Sequence, residues 1–156
     1  MGGGVVVVAP FVVNSSASRK ELKVTHDEVI SRAVALLKPH WVDGRVHGDV
    51  ASIVVAEDGG VFAGVCVDTT SWGLCAERSA LAAMITAGQY RFTKVVAVWR
   101  NKDTGQIHVL PPCGVCREFM RQIASDNLDA EVVLGRDRSM TLRELLPEHE
   151  WPAPLV

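Results

Sequence analysis

Apolar positions along this chain change period several times, and each change marks an element. Thr25-His26-Asp27-Glu28 has the Thr-x-x-Glu form of a capping box, and Ile30, Ala33, Val34 and Leu37 then recur at helical spacing until Pro39, which predicts a first amphipathic helix. Residues 50–56 and 61–67 are valine-rich runs separated by Glu57-Asp58-Gly59-Gly60, the pattern of a β-hairpin. Residues 75–87 are rich in alanine and other helix formers, with Gly88 placed to end the helix. Strands are predicted over 94–99 and over 107–110, the latter after the polar turn 101–105 and before Pro111-Pro112. Cys113 then opens a helix striped by Phe119, Met120 and Ile123, residues 131–134 read as a strand, and residues 138–146 as a last short helix before Pro147. The hairpin must be antiparallel, whereas strands alternating with helices in the second half argue for parallel neighbours. The expected class is α/β, a mixed sheet with helices on both faces.

Composition narrows the partners. With 156 residues, 48% of them hydrophobic, the chain suits one globular domain over residues 24–156, preceded by an extension over 1–23. The formal charge is -2 and the 16 Lys and Arg are dispersed without a run, so nothing offers a footprint for a polynucleotide, and a small molecule is the expected partner. Residues 4–13 are apolar and followed by Ser15, Ser16 and Ala17, which has the outline of a signal peptide but no positively charged start. The run is also too short to span a membrane, which takes roughly 20 apolar residues, and Pro10 interrupts it. It reads instead as a loose extension or a strand at a subunit contact, and no membrane partner is expected. Four cysteines, Cys66, Cys75, Cys113 and Cys116, are not needed as staples in a chain this rich in core formers, so a reducing, cytoplasmic compartment is expected.

Those cysteines carry the candidate chemistry. Cys113-Gly-Val-Cys116 alone is equally a redox motif, half of a structural zinc site or half of a catalytic one. Cys75-Ala76-Glu77 and Pro112 tip the balance. Three thiolates, each near a helix start where free N–H groups favour negative charge, make a zinc site with an open fourth position, and catalytic zinc usually has three protein ligands. Glu77 lies too close to Cys75 for both to ligate comfortably, so its role is to carry protons between an attacking water, a ring nitrogen and a leaving amine. Three thiolates leave zinc with a net negative charge, which Arg78 and Arg117, each beside a ligand, are placed to offset by donating to sulfur. This is the arrangement of zinc nucleobase deaminases, in which the glutamate does not bind metal.

Trp72-Gly-Leu-Cys75-Ala76-Glu77-Arg78 together with Pro112-Cys113-Gly-Val-Cys116-Arg117 resembles the cytidine deaminase family, including its blasticidin S deaminase branch. The likeness runs from the first helix through the Gly59 hairpin to Leu145-Leu146-Pro147. It implies a three-layer α/β/α sandwich around a five-stranded mixed sheet, a homotetramer or a dimer with sites near subunit interfaces, and hydrolytic deamination of a cytosine-containing nucleoside or analogue. Cysteine at position 75, where polynucleotide and tRNA deaminases tend to have histidine, points to free nucleosides or related small heterocycles. One departure concerns the substrate: where the family has an Asn-x-Glu pair for the ribose hydroxyl, this chain has Cys66 and Asp68. Asp68 can still accept a hydrogen bond, while a thiol poorly replaces an amide. A second enzyme reading, a blasticidin S-like or other amino-heterocycle deaminase with weak ribose recognition, follows from that change.

Ordinary roles compete for the remaining residues. Trp72 and Trp151 are core or interface aromatics by default and substrate-stacking groups otherwise. Ala76 and Pro112 join the substrate-side candidates through their place in the motifs. His26, His40, His47, His108 and His149 show no metal spacing with one another, and His47 alone is expected near the pocket mouth. The reading outside enzymology is a closed four-cysteine zinc site that recruits Cys66, although its distance along the chain from Cys75 is poor for chelation.

Overall fold

The computed structural model describes residues 24–150 and 154. The expected extension over 1–23, its apolar run and Trp151 therefore lie outside the described residues. Helix α1 (His26–Leu36) is capped by Thr25, whose side chain accepts from the Glu28 N–H, and it buries Val29, Ile30 and Ala33. Only half of the expected capping box forms there, because the Glu28 carboxylate bonds Arg32 one turn on.

After α1 comes a small hairpin, β1 (His40–Val42) with β2 (Arg45–His47). Asp43 and Gly44 form its turn at φ 48° and 77°, the left-handed pair that a two-residue hairpin turn requires. Strands β3 (Val50–Ala56) and β4 (Val61–Val65) pair antiparallel across the Glu57–Gly60 turn. Helix α2 (Ala76–Thr86) follows, then β5 (Phe92–Arg100), β6 (Ile107–Leu110), α3 (Gly114–Ile123), a 3-10 turn (Ser125–Asp129), β7 (Glu131–Gly135), β8 (Arg138–Thr141) and α4 (Leu142–Leu145). Helix α2 closes as the alanine-rich run and Gly88 predict. Gly88 has φ 81°, its N–H donates to Ile85 at 2.9 Å and that of Gln89 to Met84 at 3.1 Å, the paired bonds of a Schellman stop.

The main sheet has the order β4-β3-β5-β7-β8, with β6 also paired to β5. One edge of β5 carries β3; the other carries β7 in parallel at Lys94 and Val95, then β6 antiparallel from Ala97 to Arg100. The expected five strands are thus six among the described residues. The difference lies at residues 138–146, expected as one helix: the chain reverses after Gly135, residues 138–141 pair with β7, and only Leu142–Leu145 is helical. Thr141 caps that helix with a complete capping box to Glu144.

Alternation along the strands divides the core. Val54, Val95 and Val132 pack with Leu81 and Met84 of α2 and Met120 of α3 on one face. Ala51, Ile53, Val96, Val98 and Val133 pack with α1 on the other. Helices therefore cover both faces, and among the described residues none is long and apolar enough to cross a membrane.

Two contacts tie these layers. Gly64 on β4 meets the backbone of α2 so closely that an added Cβ would lie 2.2 Å from the Ala80 nitrogen and 2.6 Å from the Ala76 oxygen. At the opposite side, Glu131 of β7 receives His26 at 2.6 Å and Lys94 at 3.0 Å, and Lys94 also donates to the Val24 carbonyl at 2.6 Å. Burial pushes the Glu131 carboxyl up, but hydrogen bonds from His26, Ser139 and Lys94 outweigh it and bring it down to about 2.

Gly64→Ala is expected to lower stability by about 2–3 kcal/mol in urea denaturation, because the obstacles are backbone atoms that cannot rotate away. A folded pKa below the unfolded one means that Glu131 stabilises above the ordinary carboxylate range and loses that contribution as pH falls from about 5 toward 2. With a third of the side chain exposed, solvent screening leaves about 1–2 kcal/mol. Thermal melts from pH 7 to pH 2.5 should therefore show a smaller acid-induced loss in Glu131→Gln than in the parent; equal losses would remove Glu131 as a source of acid sensitivity.

Candidate metal centre and active site

Helices α2 and α3 begin at cysteines. Cys75 and Cys113 are their N-cap residues, both in extended backbone conformation and neither making a side-chain capping bond. Each thiol is thereby left at a helix start, where unpaired N–H groups and the helix dipole favour a thiolate. Cys116 sits one turn into α3 and is buried. The Cys75 and Cys113 sulfurs are 3.9 Å apart, and all three sulfurs lie within 4.8 Å of one another. Sulfurs held tetrahedrally at about 2.3 Å from zinc lie roughly 3.8 Å apart, so the donor set and its spacing fit that ion with small adjustments. Three ligands leave a fourth position, and Cys113 gives the cluster an exposed side.

Glu77, in the first turn of α2, is the one buried charged side chain among the described residues, only 6% exposed. Burial raises its carboxyl above the ordinary range, against a lowering by its own backbone N–H, by Arg78 and by the Cys116 thiol. Two residues after Cys75 in the first turn of α2, it lies near the sulfur cluster. Burial and the charge of Glu77 also push the Cys116 thiol up, while Cys113 is pulled below its ordinary value because hydrogen bonds from Cys116 and Cys75 outweigh its burial.

The two arginines diverge. Arg78 donates to the Gly73 carbonyl at 3.1 Å and approaches the Cys75 sulfur at 3.9 Å, the offsetting contact its place in the motif predicts. Its Nε is buried with no partner. Arg117, expected to donate to sulfur, instead donates to the carbonyls of Pro112 and Leu145, each at 2.8 Å. Those two acceptors use its guanidinium to strap the loop before Cys113 to the end of α4.

Cys66 stands apart from the cluster in a way that decides against the four-cysteine site. Val67 and Leu74 form an isolated antiparallel bridge, which joins the stretch just after Cys66 to the stretch just before Cys75. The Cys66 thiol donates to Asp49 at 2.8 Å and accepts from the Val50 N–H at 3.4 Å, and its sulfur is not among those that come together. Asp68 is exposed, and its N–H donates to His47 Nδ1 at 3.2 Å. That bond brings His47 beside the Cys66–Asp68 stretch. Ala76 and Pro112 are buried beside the thiols, whereas Trp72 is 80% exposed in the loop leading to Cys75. Asp49 was not among the candidate residues of the sequence. Counting outward from the Glu57–Gly60 turn pairs residue 66 with residue 50, so the Asp49 contact had no signal in the linear pattern.

Comparison with known proteins gives one answer. Residues 23–131 match the family described as the cytidine and deoxycytidylate deaminase zinc-binding region. A probable cytidine deaminase of Dictyostelium discoideum is 33% identical over 107 residues, 65% of this chain and 67% of that protein. A blasticidin-S deaminase of Bacillus cereus is 26% identical over 135 residues, 83% of this chain and 91% of that protein. Among solved structures, cytidine deaminase from Burkholderia pseudomallei aligns with TM-score 0.63 at 29% identity, covering 80% of this chain and 98% of that one. The Mycobacterium leprae enzyme aligns with TM-score 0.63 at 26% identity, covering 78% and 97%. Three sulfurs spaced for zinc, an acid buried against them and the matched family together place this chain in the cytidine and deoxycytidylate deaminase family.

Proposed function

We propose that the chain is a zinc-dependent hydrolase that converts a cytosine-containing nucleoside or analogue to its uracil counterpart and ammonia, with Cys75, Cys113 and Cys116 as ligands and Glu77 as the acid and base. The observation that carries this reading is Glu77, a carboxyl buried against three convergent thiols with its pKa raised. Zinc held by the three sulfurs supplies a Lewis acid that makes water a competent nucleophile near neutral pH. The remaining work falls to the chain. Helix starts at Cys75 and Cys113 stabilise the thiolates, and Arg78 offsets part of their charge. The Glu77 carboxylate takes the proton of the attacking water as its oxygen bonds to the ring carbon that bears the amine, and returns it to the adjacent ring nitrogen. A second transfer, again through Glu77, carries the proton of the newly added hydroxyl to the amine; the carbon–nitrogen bond breaks, ammonia leaves and that oxygen stays as the ring carbonyl. A raised pKa suits a group that must both accept and donate.

The blasticidin S-like alternative stands beside this one, supported by the coverage of the Bacillus cereus relative and by Cys66 and Asp68 at the positions where the family resemblance puts its Asn-x-Glu pair. The same reading takes residues 24–156 as one catalytic domain working in a reducing cytoplasm, where free thiolates persist. Association into a tetramer or dimer is supported by Trp41 and Trp72, large apolar groups left 66% and 80% exposed.

Ammonia release from cytidine, deoxycytidine, cytosine, blasticidin S and aminopurines tests the reading. Turnover of a cytosine-containing substrate is expected, and failure on the whole panel would reject it. Glu77→Gln should keep zinc bound yet lose at least about a hundredfold in kcat; retained turnover would remove Glu77 from the proton transfers.

A further inference from the structure

Helices α2 and α3 share a way of fixing their starts. An N-cap side chain ordinarily holds the first turn of a helix by accepting from its free N–H groups. Cys75 and Cys113 occupy the cap positions without making that bond, so their sulfurs stay available and the helix starts need another hold. Arginines that reach backwards supply it. Arg78, three residues after Cys75, donates to the Gly73 carbonyl at 3.1 Å, and Arg117, four residues after Cys113, donates from Nε to the Pro112 carbonyl at 2.8 Å. The approach to Cys113 has a particular need of such a donor. Pro111 and Pro112 carry no N–H, so their backbone can be tied only through its carbonyls. Arg117 closes the turn on its own side as well, its backbone N–H donating to the Cys113 carbonyl at 3.0 Å.

Arg117 differs from Arg78 in having a second, distant acceptor. Its Nη1 donates to the Leu145 carbonyl at 2.8 Å, at the end of α4. That helix is itself anchored. Thr141 completes a capping box with Glu144, Leu142 is fully buried in the core that holds Cys116 and Met120, and the Leu142 N–H donates to Ala130 at 3.0 Å. We infer that Arg117 is a positioning residue for the metal centre: it holds the loop before Cys113 against α4 so that the three sulfurs stay gathered, and the seating of α4 thereby sets how firmly zinc is kept. This deepens the zinc deaminase reading and rests on it. The role needs two hydrogen bonds in fixed directions, not positive charge alone. A lysine ammonium keeps the charge but does not reproduce the planar fork that reaches both carbonyls. The strap makes the end of α4 part of the metal site, although all three sulfurs come from the starts of α2 and α3.

The test compares the zinc-loaded parent with Arg117→Lys, Arg117→Gln and Thr141→Val, all below their melting temperatures. Zinc release is followed with a chromophoric chelator, and the thiolate absorption of the Co2+-substituted proteins is recorded alongside. Arg117→Lys and Arg117→Gln are each expected to release zinc about tenfold faster than the parent and to shift the cobalt absorption. Thr141→Val removes the cap of α4 and leaves Arg117 in place; it should speed release about threefold in the parent background and add nothing to Arg117→Gln, where the strap that transmits it is already cut. A role confined to stability would lower Tm while leaving release and the cobalt spectrum at parent values, and that result overturns the inference. Parent-like release from Arg117→Lys would overturn it too, because charge alone would then suffice, as would additive effects of Thr141→Val and Arg117→Gln. Should both Arg117 variants fail to fold, Thr141→Val decides alone: faster release supports the strap and parent-like release rejects it. A parent that takes up no zinc sinks the deaminase reading itself, whereas one that holds zinc with equal release from every variant sinks only the role of Arg117.

Discussion

Two helices beginning at one point in space are the constraint on which everything else depends. The thiols at the starts of α2 and α3 can meet only if both helices are seated on the same face of the sheet at a fixed depth. For α2 that depth is set by Gly64, where the strand backbone touches the helix backbone and any side chain would force them apart. Ala76 and Ala80, both fully buried, keep the helix side of that contact equally small. For α3 the seat is Met120 in the shared core, and the loop before it is strapped by Arg117 to Pro112 and Leu145. Cys75 and Cys113 arrive 3.9 Å apart as a result of packing decisions made elsewhere in the chain.

That convergence concentrates negative charge, and among the described residues it is offset without a salt bridge in the cluster. Helix dipoles act on both N-cap thiols, and Arg78 approaches Cys75 from the Gly73 side. Glu77 is the exception, a carboxyl buried at the start of α2. Burying a carboxyl beside sulfur is unfavourable for its charged form, and the raised pKa is the direct consequence. Cys66 bonds Asp49 instead of joining the three sulfurs, so the cluster among the described residues is one of three thiols.

Much of this was legible in the sequence where local chemistry and tertiary demand agree. Residues 50–56 and 107–110 are strands as their patterns predict, Gly88 ends α2, and Cys75, Cys113 and Cys116 do come together. Misreadings arose where two signals of the same kind competed. Thr25 and Thr141 both begin a Thr-x-x-Glu pattern, yet only Thr141 completes the box, because Glu28 is drawn to Arg32. Residues 138–141 carry a helix-compatible composition but complete the sheet edge beside β7, a choice made by pairing rather than propensity. Asp43-Gly44 was a hairpin signal in plain view. Arg117 and Asp49 were beyond a linear reading: what an arginine donates to, and what faces a thiol from the neighbouring strand, depend on register and on contacts far along the chain.

The central claim is that three thiols, and not four, hold one zinc ion at the meeting of α2 and α3. Zinc content per chain, measured after exhaustive dialysis on the parent, Cys66→Ser and Cys113→Ser, tests it most directly. The account predicts about one zinc per chain in the parent and in Cys66→Ser, and loss of the metal in Cys113→Ser. Loss of zinc from Cys66→Ser, or full retention by Cys113→Ser, would contradict it.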